Sequence, residues 1–136
     1  MIRKRDIILS VLAWMGIGVF WLVATRTAHP TFELDMIVTG SLITAYAAAA
    51  YTNHLILIPR FWQTGRIGIY LIVLLASMSV LTGMALAVIR VSYERTVGPD
   101  PDPNGVYIHF AIDFFGMVVH LVGAAGVVWM WRRIRR

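Results

Sequence analysis

The chain has 136 residues, 59% of them hydrophobic and only 14% charged, a balance that a soluble domain of this size cannot hide from water, so a lipid environment is implied. Its net charge of +5 would suggest nucleic acid in a soluble protein, but the basic residues stand at the ends of apolar blocks and read as topology signals, not as a nucleic-acid surface. The absence of cysteine excludes a disulfide, a thiolate nucleophile and a cysteine-ligated metal or iron–sulfur site.

A membrane-crossing helix needs about 20 apolar residues, and four such blocks follow one another. The first, about 7–25, comes after Arg3-Lys4-Arg5 and carries Trp14, Trp21 and the step Gly16-Ile17-Gly18, where another backbone could approach closely. Its charged start and apolar body resemble a signal peptide, with Thr25-Arg26-Thr27-Ala28 as a poor cleavage site, and an uncleaved first helix is the expectation. A polar connection, 26–35, follows, in which His29 beside Pro30 reads as solvated and Glu33 and Asp35 as external acids.

The second block, about 36–58, holds two rows of small residues: Gly40, Thr44 and Ala48, and next to it Ser41, Ala45 and Ala49. Both suit close helix packing. Pro59 is expected to stop this helix, since proline lacks an N–H and disfavours helical geometry before it. Asn53 and His54, about a turn earlier, are expected to satisfy loose carbonyls or meet headgroups. The third block, about 67–89, is dominated by Leu, Ile, Val and Met, with a small patch at Ser77, Ser79 and Gly83, and reads as mostly lipid-facing. The stretch 98–105, rich in proline and glycine, cannot propagate helix and reads as an external loop. The last block, about 107–131, ends in Trp129 and Trp131, suited to the headgroup zone, and in Arg132, Arg133, Arg135 and Arg136, suited to anionic lipid.

Nine of the twelve basic residues lie at the two ends of the chain or in the connection that holds Arg60 and Arg66; only Arg26, Arg90 and Arg95 lie on the opposite side, with five of the seven acids. The positive-inside rule then puts both termini in the cytoplasm. The expected fold is an all-α membrane protein, one four-transmembrane-helix bundle over 1–136, multi-pass in a bacterial inner membrane.

The segment Tyr51-Thr-Asn-His-Leu-Ile-Leu-Ile-Pro-Arg-Phe61, followed by Ile69-Tyr-Leu-Ile-Val-Leu-Leu75, resembles the membrane region of bacterial sensor histidine kinases of the LytS/YehU type. There a helix ends in an Asn-x-x-x-Leu-Ile-Pro-Arg/Lys-Phe pattern before a Tyr-Leu-rich start. After the fourth block this sequence holds only a few arginines where such a kinase continues into its phosphoacceptor and nucleotide-binding parts. The resemblance therefore implies a shared membrane scaffold without the catalytic half, and no phosphotransfer is carried over.

The sharpest constellation is in the fourth block, where His109, Asp113, Gly116 and His120 follow i, i+4, i+7, i+11 spacing and share one helix face. Asp113 reads as the one acid well inside a span, and an intramembrane carboxylate normally faces the bundle, pairs with a partner or serves an ion path. Two readings stand: a packing hydrogen bond, or a proton relay, metal site or pigment or haem ligand. The run from His120 through Gly123 and Gly126 to Trp129 also resembles the pigment-binding helix of light-harvesting polypeptides, although it points the other way across the membrane. That resemblance implies His120 as a ligand and contact with bacteriochlorophyll or carotenoid; the alternative is packing of Gly123 and Gly126 against a neighbouring helix.

No nucleophile–base triad, phosphate loop, zinc helix or dinucleotide turn occurs, so a non-enzymatic role is expected. The first expectation is an accessory subunit packed on other transmembrane subunits of a larger complex, most specifically a photosynthetic reaction-centre or light-harvesting assembly. The second is a stand-alone sensor or regulator that binds a small apolar ligand or a partner helix. The third is a small proton or ion transporter.

Overall fold

The computed structural model describes residues 4–99 and 105–134, with side-chain surroundings for 8–99 and 107–127. Four α-helices follow in order: α1 Lys4–Ala24, α2 Phe32–Thr52, α3 Ile67–Thr96 and α4 Gly105–Ile134; a π-helical segment, Asn53–Trp62, continues α2 without a break. No strand occurs among the described residues. Phe32–Trp62, Ile67–Thr96 and Tyr107–Val127 are each long and apolar enough to cross a membrane, and Ile8–Ala24 is a shorter apolar helix.

α2 is the hub, touching α1, α3 and α4, and α3 also packs on α4. Small residues at its inner face allow this: Ala45 and Ala49 are buried with Tyr46 from α2, Met78 and Ala85 from α3 and Met117 from α4. Trp14 of α1 packs against this cluster, so its indole serves the core as well as any interfacial belt. Thr82 of α3, 1% exposed, donates weakly to the Met117 thioether at 3.9 Å. Outward, α3 and α4 present bulky apolar side chains such as Ile72, Met84, Phe115 and Val119, the surface expected where lipid tails are the solvent.

Of the two small rows on α2, only the one with Ala45 and Ala49 packs within the chain. Gly40 and Thr44 are exposed and Ala48 is half-buried. At Gly40, Gly123 and Gly126 no described atom lies within 4 Å of where a Cβ would stand. The bulky neighbours set the rotation of the helix: Leu34, Tyr46 and Leu57 are buried on α2 and its extension, and their direction decides which small row turns inward.

Three boundaries differ from expectation. α2 starts before residue 36, because Thr31, in extended conformation, accepts the Leu34 N–H at 3.2 Å and caps the helix, with Glu33 and Asp35 in its first turn. Asp35 is therefore not an external loop acid but a fully buried helical one. α3 runs on to Thr96, which brings Arg90, Tyr93 and Glu94 onto a helix. Pro59 does not stop α2: the helix widens into the π form around it. A π turn uses i→i−5 bonds, seen in Gln63 N–H to Ile58 O at 3.0 Å and Arg66 N–H to Phe61 O at 2.9 Å, and the wider register accommodates the missing N–H of a proline. Thr64 then ends it by donating to the Arg60 carbonyl, and Gly65 turns the chain at φ +75°.

The motif that carried the kinase resemblance has a structural meaning here. Asn53, 6% exposed, accepts the Tyr70 hydroxyl at 2.9 Å, and Trp62 meets the Tyr70 ring edge-on. Asn53 is thus a buried clasp between the π segment and α3, not a residue for headgroups.

Candidate functional site

A cavity of about 960 Å³ runs from the α1–α2 connection and the end of α3 down between the helices to Tyr46, Gly83, Gly116 and His120. Its walls are mostly apolar, supplied by residues such as Val38, Leu42, Leu86, Phe110 and Ile112. All four members of the polar face of α4, His109, Asp113, Gly116 and His120, line it. From His109 to His120 that face extends for roughly 16 Å at about 1.5 Å per residue.

The floor is a tight aromatic knot. The His120 ring stacks on Tyr46, with centroids 4.5 Å apart; its Nδ1 lies 2.8 Å from the Gly116 carbonyl, and its Nε2 accepts the Trp21 indole N–H at 3.4 Å. A carbonyl accepts and an indole donates, so in this arrangement Nδ1 is the donor to Gly116 and Nε2 the acceptor from Trp21. Nε2, the atom that would ligate a pigment's magnesium, is the one turned to Trp21, so pigment ligation by His120 would require that contact to break. The Tyr46 hydroxyl donates to the Asp113 carbonyl at 3.4 Å and fills the place beside Gly116, where an added Cβ would come 2.6 Å from the Tyr46 oxygen. Glycine is required there by space.

Asp113 is half-buried, and among the described residues its carboxylate has no hydrogen-bond or ion-pair partner. The basic group acting on it is His109, one turn earlier on its own helix. On the facing wall, Arg90 and Glu94 of α3 bind each other at 2.7 Å.

A second polar cluster closes the end of the cavity near the α1–α2 connection. Asp35 Oδ1 accepts the Thr25 hydroxyl at 2.8 Å and lies 3.8 Å from His29 Nε2, while His29 Nδ1 hydrogen-bonds the Tyr93 hydroxyl. His29 is therefore held by two helices and not merely solvated. The four residues tie the α1–α2 connection, α2 and α3 together at this end of the cavity. Asp35 Oδ2 is buried without a partner among the described residues.

The sequence reading missed Tyr46, Tyr93, Trp21 and Asp35 as members of this site. A lone phenol in an alanine run (Tyr46), and Thr31 followed by acids at the start of an apolar block, were the available signals. Trp129, Trp131, Arg132, Arg133, Arg135 and Arg136, expected at the lipid interface, lie outside the residues whose side chains are described. No group of three or more metal-ligating side chains occurs among the described residues. No family model matches the chain, and no curated protein and no solved structure matches it either.

Proposed function

We propose that this chain is a membrane-embedded binding protein for a small, largely apolar molecule, acting as a sensor or regulator without catalysis of its own. The observation that carries the reading is the cavity: about 960 Å³, at the upper end of the range that holds a drug-sized ligand, with apolar walls and a few converging polar groups. Ligand seated there contacts all four helices, so occupancy changes how α1 and α4 sit on α2, a shift that a cytoplasmic partner can read.

Native mass spectrometry of the chain, gently solubilised from its own membranes, tests this. A stoichiometric small-molecule adduct is expected, and Gly83→Leu should abolish it, since a side chain there enters open space in the cavity wall and leaves the core untouched. A wild-type chain that carries no adduct, and whose thermal unfolding is unmoved by any apolar compound, would sink the reading.

A second reading, an accessory subunit of a larger bacterial membrane assembly, is favoured by Gly40, Gly123 and Gly126, against which no described residue packs. Recovery in a large particle after mild solubilisation would support it; recovery as a small species would not. The engaged nitrogens of His120 give a photosynthetic version of that assembly no particular support.

A further inference from the structure

We propose that the molecule the cavity selects is a lipophilic organic cation, an amine or onium ion with an apolar body. The inference rests on the binding-cavity reading and adds the chemistry of the ligand.

Charge is the first argument. The charged and basic side chains lining the cavity are His29, Arg90, Glu94, His109, Asp113 and His120. Arg90 and Glu94 bind each other at 2.7 Å, His29 is engaged by Asp35 and Tyr93, and the His120 nitrogens are taken by Gly116 and Trp21. His109, one turn from Asp113, acts on it without forming an ion pair among the described residues. That leaves the Asp113 carboxylate in an apolar wall, without an ion-pair partner among the described residues. An intramembrane carboxylate without a counter-ion is costly and normally finds one. A cation in the cavity supplies it.

The second argument is independent of Asp113. At the end near the α1–α2 connection Asp35 is 0% exposed, and its Oδ2 has no partner among the described residues while Oδ1 takes the Thr25 hydroxyl. Thr25 and His29, which hold Asp35 through Oδ1, both line the cavity, so a buried carboxylate with one unsatisfied oxygen, Oδ2, stands next to its wall. Third, the lining includes Trp21, Tyr93 and Phe110 beside Tyr46, whose ring is stacked on His120, and aromatic faces attract cations and do not attract anions of equal size. A neutral apolar ligand would explain the cavity but neither carboxylate.

The test uses the full chain in zwitterionic lipid discs, with three probes of similar shape: tetraphenylphosphonium, tetraphenylborate and neutral triphenylmethanol, each corrected for uptake by empty discs. Saturable one-to-one binding of the phosphonium, with no saturable binding of the borate, is expected. Asp113→Asn should weaken phosphonium binding by about tenfold or more, the loss of one charge-assisted contact, and Asp113→Glu should restore most of it. The wild-type chain alone gives a second readout that does not depend on a variant folding: the phosphonium should raise its unfolding temperature and the borate should not. Equal binding of cation and anion, or an affinity untouched by Asp113→Asn, would overturn the cation assignment while saturable triphenylmethanol binding left the cavity reading standing. Absence of saturable binding by all three would overturn both.

Discussion

At the scale of single residues, the floor of the cavity depends on a glycine that is small for a stated reason. An alanine at position 116 would bring its Cβ to 2.6 Å from the Tyr46 oxygen, and Tyr46 cannot swing away freely: it is 6% exposed, stacked by His120 and bonded to the Asp113 carbonyl. Gly116→Ala is therefore expected to destabilise the chain by about 1–3 kcal/mol, the usual cost of overpacking. Adding Tyr46→Phe, which deletes the clashing oxygen, should recover part of that loss. Thermal or detergent-denaturation midpoints of the two variants check this, and a double variant no better than the single one would show that the clash is not the cause. At the other end, the single Thr25 hydroxyl proton is shared between the Trp21 carbonyl and a fully buried carboxylate, each 2.8 Å away. Thr25→Val keeps the shape and removes that donor, so it should cost about 1–3 kcal/mol, more than an exposed Thr→Val change would. Thr44, exposed on the outer face of α2, is the matched control. Asp35 itself was hidden from a sequence reading that counted it among external acids, because a polar run between two apolar blocks looks the same whether its last residues are loop or capped helix.

Among the elements, the π segment carries a buried polar interaction that locks it to α3. Tyr70→Phe leaves Asn53 Oδ1 buried without its donor, and Asn53→Leu leaves the Tyr70 hydroxyl without its acceptor; each single change should destabilise by about 1–3 kcal/mol. The double variant should cost clearly less than the two together, a coupling of about 0.5–3 kcal/mol in a double-mutant cycle of unfolding. Strict additivity would mean that the two side chains do not act on each other. This part of the fold illustrates what was legible. The four apolar blocks, and the shared face of His109, Asp113, Gly116 and His120, follow from length and from the 3.6-residue period, so they could be read directly. The π turn could not: Pro59 carries the same local signal whether the helix stops or widens, and the outcome depends on Asn53 finding Tyr70 across a turn of chain. Nor could the choice between the Gly40 row and the Ala45 row, because both are equally small and the rotation is decided by Leu34, Tyr46 and Leu57.

For the whole molecule, the distribution of charge makes a statement about orientation that the missing cysteines allow to be tested cleanly, since any cysteine introduced is the only one present. α1 has 21 residues, roughly 31 Å at about 1.5 Å per residue, long enough to cross a hydrocarbon core of about 30 Å. If α1 crosses, four passes are expected, and the positive-inside rule then predicts that the basic residues at both ends and at Arg60 and Arg66 share the cytoplasmic side. Single cysteines at Thr27, Thr64 and Val97, all exposed in connections or at a helix end, and a fourth at Ile2, would be challenged in intact cells with a membrane-impermeant maleimide. Thr27→Cys and Val97→Cys should label at once; Thr64→Cys and Ile2→Cys should label only after permeabilisation. Immediate labelling at Ile2 with Thr64 protected would mean that α1 lies along the outer surface and three helices cross. The contacts of Trp14 with the core and of Trp21 with His120 at the cavity floor would then not form, and the cavity would lose its α1 wall. The expected four-crossing pattern instead puts the Asp35, His29 and Tyr93 cluster at the outer face, so that the cavity opens away from the cytoplasm and a molecule arriving from outside meets the buried carboxylates before it meets the basic inner surface.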